Sequence, residues 1–362
     1  MKIAIVGCGQ IADAHIQEVQ KIPNAVVVGV CDLSIHLARQ AALRYQVQGC
    51  YTDIKLMLKE VQPDVVHITT PPASHAPLAK IVLSYGSHIY MEKPFTVNLS
   101  EAQDIVAMAT ATGKLICAGH NYMYDPAYLR LLAACREKKL GDIVHLISVM
   151  GYNLFGPFGS VSMGDPLHWL HRLPGGLAQN NISHPISLIL GLMPGDTIAV
   201  SARGYRLRKE RFQDIRDNFF DEIRANLSTD STTAHLVFTS KVRPVQTCVT
   251  VYGAQGAACA SLDSRTLRYI KGSNLPGPFA KVQWSYLDAK EAVREFMGNV
   301  GNMAKARLHY FSGMHELFTQ FYAAIEGRQK MPIQMSEALR VTAVMDDIVR
   351  ECKKNDGEKG RQ

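Results

Sequence analysis

The first twenty residues constrain this chain more than any other stretch. Residues 2–6 (K-I-A-I-V) form a short apolar run, as expected of a strand buried on both faces. The run leads directly into Gly7-Cys8-Gly9-Gln10-Ile11-Ala12 and then into a helical pattern ending near Lys21. In a strand, G-x-G-x-x-A, helix unit each small residue has a task. Gly7 permits the tight turn, Gly9 lets the backbone approach a pyrophosphate, and Ala12 lets the helix pack on the strand. Gln10 and Ile11 open the helix, whose free N–H groups face phosphate oxygens. Lys2, the apolar run and Ala12-Asp13-Ala14 also imitate a secretion signal with a small-residue cleavage site. The glycine spacing accounts for the same residues better.

The residues that follow give the motif its context. A second apolar run, Ala25 to Cys31, ends at Asp32. A carboxylate there can accept hydrogen bonds from the adenosine ribose hydroxyls. It would also repel a 2′-phosphate, and the next residues, Leu33 and Ser34, supply no arginine to receive one. The expected cofactor is therefore NAD, with NADP disfavoured. Strand-like runs recur at 64–69, 87–91 and 115–118, separated by helical stretches near 75–85 and 100–112. Ser100 followed by Gln103 has the spacing of a capping box. Alternating strands and helices imply a doubly wound parallel sheet, and ligands of such sheets bind beyond the strands' carboxyl ends. Two strand ends thus become candidates for cofactor contact: Thr70, Pro71 and His75 at one, Glu92 and Lys93 at the next.

Taken together, G-C-G-Q-I-A at 7–12, T-P-P-A-S-H at 70–75, E-K-P at 92–94 and A-G-H-N-Y-M-Y-D-P at 118–126 resemble the Gfo/Idh/MocA oxidoreductases. That family takes its name from glucose–fructose oxidoreductase and inositol dehydrogenase. The resemblance extends over essentially the whole chain. It implies a Rossmann domain over 1–123 and a C-terminal α+β domain over 124–352 with a large, open, mostly antiparallel sheet, often used for dimerisation. It also implies that Lys93 lies beside the nicotinamide and the substrate hydroxyl, with Glu92 behind it or facing the core, and that the Lys93–Pro94 bond is often cis. A desolvated ammonium there can hold the reacting oxygen and stabilise alkoxide character.

After Met123 the pattern changes. A helix is expected from Pro126 to about Lys138, capped by Gly141, followed by strands at 143–150, 197–206, 219–228, 232–239 and 245–252. Two more may be read at 257–262 and 265–271, then helices at 289–303, 307–326 and 336–352, with 353–362 as a frayed tail. The informative segment is Pro174 to His184. Gly175, Gly176 and His184 match the family pattern G-G-x-x-x-D-x-x-x-H, but Asn180 stands in place of the usual Asp, and Ser187 in place of a later Asp. On a helix Asn180 and His184 share a face. The imidazole can move the hydroxyl proton, while the amide can only orient a substrate hydroxyl or the ring.

Upstream, His168, Trp169 and Arg172 suit a substrate-facing loop, in which aromatic faces meet a sugar and Arg172 meets a phosphate. Trp169 packing the loop down is an equal reading. Tyr122 falls where the two domains join, as do Tyr124 and Asp125. Zinc held by His168, His171 and His184 is rejected, because no Cys or carboxylate has matching spacing and the family is metal-free.

Composition removes several classes of function. Lys plus Arg number 39 against 32 Asp plus Glu, a net charge of +7 that suits a small anionic ligand. The densest basic stretch, Arg203 to Arg216, is broken by Glu210 and Asp214, so no nucleic-acid partner is expected. No apolar run approaches the roughly 18 residues of a membrane span. The eight cysteines include no C-x-x-C pair and read as reduced thiols of a cytoplasmic protein. The leading reading is an NAD-dependent enzyme, a homodimer or homotetramer. It would move hydride between nicotinamide and a secondary alcohol or ketone of a sugar, cyclitol or nucleotide sugar. A dinucleotide-binding regulatory protein and redox-neutral glycoside chemistry with retained NAD remain open alternatives.

Overall fold

A computed structural model describes residues 1–359 apart from 157–158, 162–164, 166, 196, 208–219, 274, 306 and 310. The chain forms two compact units. One contains residues 1–121, 167–183 and 313–346, the other 122–166, 184–312 and 347–362. The chain therefore returns to its first unit twice, where the sequence suggested a single crossing near Met123. The returning segments supply apolar side chains that complete the first unit's core, such as Leu177, Leu317 and Phe318.

The first unit is built on β1 (Lys2–Val6), β2 (Val26–Cys31), β3 (Gly49–Tyr51), β4 (Val65–Ile68), β5 (His88–Met91) and β6 (Ile116–Ala118). All pairs are parallel, in the order β3-β2-β1-β4-β5-β6. Between them run α1 (Gln10–Gln20), α2 (Ile35–Tyr45), α3 (Ile54–Val61), α4 (His75–Ser84) and α5 (Leu99–Thr112). The strand order reverses about β1 and β4, which sets a crevice at their carboxyl ends. Asn98 caps α5, taking the Glu101 N–H, while Glu101 reaches back to the Val97 N–H. The capping box thus lies two residues before the expected Ser100, because Leu99 is already helical.

The interior of this unit holds an unusual amount of imidazole. His15, His67, His75 and His120 are all buried. His15 Nε2 meets Glu92 at 2.9 Å, its Nδ1 meets His67 Nδ1 at 2.9 Å, and His67 Nε2 meets the Tyr322 hydroxyl at 2.8 Å. One proton assignment satisfies every contact. Tyr322 donates to His67, His67 donates to His15, and His15 donates to Glu92, with both rings neutral. Burial, with His15 alongside, holds the His67 pKa well below its ordinary value, consistent with a neutral ring. Tyr90 stacks on His67 with centroids 4.9 Å apart, and Phe318 meets the same ring edge-on at 4.7 Å.

The second unit carries α6 (Pro126–Arg136) and a seven-stranded sheet. Its strands are β7 (Ile143–Gly151), β8 (Ala199–Tyr205), β9 (Glu222–Ser228), β10 (Thr233–Thr239), β11 (Thr247–Gly253), β12 (Gly256–Ser261) and β13 (Thr266–Ile270). The order is β13-β12-β11-β7-β10-β9-β8, antiparallel except for the parallel pair β7 and β10. Alternate residues such as Leu146, Val249 and Leu236 are buried, and α6 packs against β12 and β13. This helix ends at Glu137, and Lys138 takes the left-handed turn at φ 56°. Gly141, the expected cap, serves the next turn instead, at φ 72°, where a side chain would press on Gln255.

Three later helices complete the fold: α8 (Gly277–Ala304), α9 (Ser312–Ile325) and α10 (Met335–Lys359). Helix α8 begins twelve residues before the expected start at 289, because Pro278 enters a first turn that lacks partners for its N–H groups in any case. Helix α10 continues to Lys359, so most of the expected frayed tail is helical; residues 360–362 lie outside the described ones. Among the described residues no helix is long and apolar enough to cross a membrane.

Phe318 is fully buried against His15, His67 and Tyr90. Phe318→Ala should cost about 3–5 kcal/mol, read as a fall in the urea midpoint; an unchanged midpoint would contradict this packing. His120 has no partner for either ring nitrogen among the described residues. Burial pushes its pKa down to about 4, against a small opposing effect from Glu92. The unfolded ring titrates near 6.5. Stability is therefore complete above pH 6.5 and falls as pH drops from 6.5 towards 4, where only the unfolded state takes the proton. In His120→Leu the slope of unfolding free energy against pH should be shallower across that window. An identical slope would show that His120 does not resist protonation.

Candidate active site

The turn after β1 is shaped by close approaches. Gly7 sits at φ 94°, and a Cβ there would lie 2.7 Å from the Thr70 side chain and 3.0 Å from the Thr69 backbone. Its N–H donates to the Cys31 carbonyl at 2.8 Å. Gly9, two residues on, has open space around its missing Cβ. It caps α1 without any side-chain hydrogen bond, leaving the first-turn N–H groups of Gln10 and Ile11 on the open side. Asp32 fixes this turn from β2. One carboxylate oxygen accepts the Cys8 N–H and the other the Ser34 N–H, both at 2.8 Å. A carboxylate has further lone pairs, so Asp32 can still accept from a diol. An open cradle at a helix N-terminus with a carboxylate alongside fits the pyrophosphate and ribose of a dinucleotide.

Thr70 and Pro71 follow β4 at the same edge, half-buried and exposed respectively, with the Thr70 hydroxyl accepting from Ser74 at 2.7 Å. His75 behaves differently from the expected cofactor contact. It is buried, with Nε2 2.8 Å from the Thr70 carbonyl and Nδ1 3.1 and 3.2 Å from those of Pro94 and Phe95. Both nitrogens face main-chain carbonyls and the neutral ring donates its one N–H to one side, so it is wedged between two loops and presents no free edge to a ligand. Glu92 likewise faces the core, paired with His15, its other oxygen accepting the Lys93 N–H at 3.0 Å. Burial alone would raise the Glu92 pKa. The His15 hydrogen bond, with the Lys93 charge and main-chain N–H, outweighs that and holds it below the ordinary value.

Lys93 stands next, half-buried, on a cis peptide to Pro94. Its Nζ donates to the Asn180 carbonyl at 3.2 Å. Desolvation lowers its pKa, and the Glu92 carboxylate partly offsets this. Asn180 lies on α7 (Gly176–Leu190). Gln179, one residue earlier, donates to the Val97 carbonyl and accepts the Gly175 N–H, both at 2.7 Å. The helix start is thereby tied to the loop that follows Lys93.

The same helix continues into the second unit. His184, one turn beyond Asn180, is buried and stacks on Tyr122 with centroids 4.0 Å apart and planes 15° from parallel. Ser187 donates back to the His184 carbonyl at 2.8 Å, which absorbs the hydroxyl standing in the family's second Asp position. Pro185 lacks the N–H that would close on Asn181, removing one rung of the ladder beside His184. In the first unit, His168 caps the short turn Trp169–Arg172 by accepting the Leu170 N–H, and it lies 5.1 Å from Trp169, centroid to centroid. Trp169 is half-buried, while Arg172 is exposed and donates to the Leu167 carbonyl. Among the described residues no three His, Cys, Asp or Glu side chains gather as metal ligands.

Within the first unit the structure therefore unites Gly7, Asp32, Thr70 and Lys93 with Asn180. It groups His184 with Tyr122 in the second. Sequence reasoning missed the support: His15, His67 and Tyr322 behind Glu92, and Gln179 beneath Lys93. Only His15 carried a local signal, a histidine on the inward face of the first helix. The partners of the others are set by tertiary contact.

Comparison with known proteins agrees with this arrangement. The model for the Gfo/Idh/MocA oxidoreductase family, NAD-binding Rossmann fold, matches residues 1–120, and that for the Gfo/Idh/MocA C-terminal domain matches residues 128–259. An uncharacterized oxidoreductase of Bacillus subtilis, YrbE, is 23% identical over 258 residues, covering 71% of this chain and 72% of that protein. D-apiose dehydrogenase of Paraburkholderia graminis is 29% identical over 140 residues, but the match spans 39% of this chain and 37% of the relative. The fold is shared with the WlbA dehydrogenase of Bordetella pertussis, solved with NADH and UDP-GlcNAcA, at a TM-score of 0.78 and 17% identity over 98% of this chain and 96% of that one. With both family models matched in order and the glycine turn, E-K-P strand end and mostly antiparallel sheet in place, the chain belongs to the Gfo/Idh/MocA family of NAD-binding oxidoreductases.

Proposed function

We propose that this protein is an NAD-dependent dehydrogenase or reductase of a sugar, cyclitol or nucleotide sugar, acting at a secondary alcohol or ketone. The observation that carries the reading is Lys93: a desolvated ammonium at a parallel strand's carboxyl end, reaching a helix carbonyl and backed by a buried, anchored carboxylate. When bound, NAD supplies a nicotinamide ring able to accept or donate hydride. The chain's own residues do the rest. The N–H groups of Gln10 and Ile11 hold the pyrophosphate, and Asp32 holds the adenosine ribose and excludes a 2′-phosphate. Thr70 and Pro71 line the approach to the ring. Lys93 exchanges its weak carbonyl contact for the substrate oxygen and stabilises negative charge on it.

His184 is the candidate to take or return the hydroxyl proton, with Tyr122 holding the imidazole plane. Asn180 cannot share a proton, so its amide is assigned to orienting the substrate. His168, Trp169 and Arg172 are assigned to the substrate-facing turn, Arg172 meeting a phosphate where the sugar carries one. The named relatives, D-apiose dehydrogenase and the WlbA dehydrogenase, support a carbohydrate substrate class. We assign nucleotide binding to residues 1–123 and substrate binding and self-association to 124–352, with copies meeting over the open sheet face as a homodimer or homotetramer. Eight free thiols fit a reducing, cytoplasmic setting.

A panel of free sugars, cyclitols and nucleotide sugars, read as NADH absorbance, should yield at least one substrate. With it, Lys93→Ala should lower kcat by on the order of 10²–10³-fold while NAD affinity is kept. His184→Phe, which preserves the stack on Tyr122, should lower kcat by on the order of 10²–10⁴-fold and remove the matching limb of the pH profile. Turnover at the wild-type rate in both variants would remove these residues from the chemistry.

A further inference from the structure

Helix α8 is amphipathic the wrong way round for a helix serving only its own chain. Its inward side is charged. Glu291 and Glu295 are buried, and Arg130 grips Glu295 with two hydrogen bonds of 2.9 and 2.6 Å. Glu295 also accepts the Leu267 N–H of β13 at 2.8 Å, and Arg294 pairs with both carboxylates. The helix is thus held to its own sheet by ion pairs, while its apolar residues face outward.

Eight of those outward residues follow a strict rule; Trp284 and Met297, also exposed, stand outside it. Phe279 and Val282 are followed by Tyr286 and Ala289, then Val293 and Phe296, then Val300 and Met303, so that steps of three and four alternate along the helix. That is the a/d repeat of a coiled-coil seam, sustained over four repeats. All eight positions are exposed, with Phe279 and Val282 at 70% and 72% and Phe296 at 63%. A seam this narrow asks for one further helix.

We propose that this seam is a contact between two copies of this chain, the α8 helices packing antiparallel about a twofold axis near Glu291. The geometry points to this occupant on three counts. First, antiparallel pairing centred there sets every a position against a d position. Tyr286 then meets Phe296 and Ala289 meets Val293 of the second copy, large on large at the flanks and small on medium at the axis. Second, the residues flanking the seam are mostly small or uncharged, Ser285, Ala292 and Asn299 on one side and Gln283 and Met297 on the other, with Lys290 beside the axis the single charge on either flank. Third, the area suffices. Three aromatic rings from each copy, at ~150–250 Å² apiece and about two-thirds exposed, bury on the order of 600–1,000 Å² before the aliphatic positions are added. A stable interface needs about 1,200 Å² in total. A lipid surface fits less well. Arg294 is taken up by Glu291 and Glu295, and the helix otherwise exposes only Lys281 and Lys290 against Asp288, short of the cationic excess of interfacial helices. This contact is separate from the sheet face and does not depend on the proposed reaction.

The test is light scattering on the full-length protein beside the double variant Val293→Glu with Phe296→Glu. The wild type should have twice the mass of the variant, with the variant's circular dichroism unchanged, and Val282→Lys at the far end of the seam should also lower the mass. A spin label at Lys281→Cys should report a separation of about 30 Å between copies. Equal masses for wild type and both variants would overturn the proposal. So would co-flotation of a monomeric wild type with phosphatidylcholine vesicles, which would place lipid on the seam, or a label separation near 10 Å, which parallel helices require.

Discussion

The Glu92 carboxylate is the point on which the site depends. It lies at the carboxyl end of a buried parallel strand, where an unpaired charge would be prohibitive. Three things hold it there: the His15 hydrogen bond, the Lys93 main-chain N–H, and the Lys93 charge. His15 is held in turn by His67, and His67 by Tyr322 from a helix more than two hundred residues further on. Removing one member would strand the next in a dry interior, at a cost of about 1–3 kcal/mol for each unsatisfied group. The network therefore rigidifies the backbone that presents Lys93. It also explains why the chain returns to its first unit so late: the α9 helix brings Phe318 and Tyr322 to close the pocket around the histidines.

The parts of the fold legible in the sequence were those carried by short-range patterns. The apolar runs marked five of the six parallel strands, and the glycine turn marked the first crossover. The missing strand, Gly49–Tyr51, is three residues long and only half-buried, too short to leave a periodic signal. Boundaries moved wherever a neighbouring residue took the cap. Asn98 took the α5 cap from Ser100, and Lys138 turned the chain before Gly141 could. At the site, residues on strand ends were legible because position alone argued for them. His75 was legible as a member of the T-P-P-A-S-H motif but not in its function, since the carbonyls it meets come from two separate loops.

The departures at Asn180 and Ser187 read differently once the contacts are known. Asn180 offers Lys93 its main-chain carbonyl, a contact any residue at that position can make, and Ser187 closes onto its own helix. Neither leaves a buried carboxylate in need of a partner. What the helix retains is one ionisable group, His184, held flat against Tyr122.

The account rests on the glycine turn and Asp32 forming a binding site for NAD. Calorimetric titration of NAD and of NADP into nucleotide-free protein tests that claim most directly. The arrangement predicts saturable NAD binding and NADP binding weaker by about tenfold or more, some 1.4 kcal/mol or greater, because Asp32 meets the 2′-phosphate with like charge. Binding of neither nucleotide, or of NADP as tightly as NAD, would contradict it.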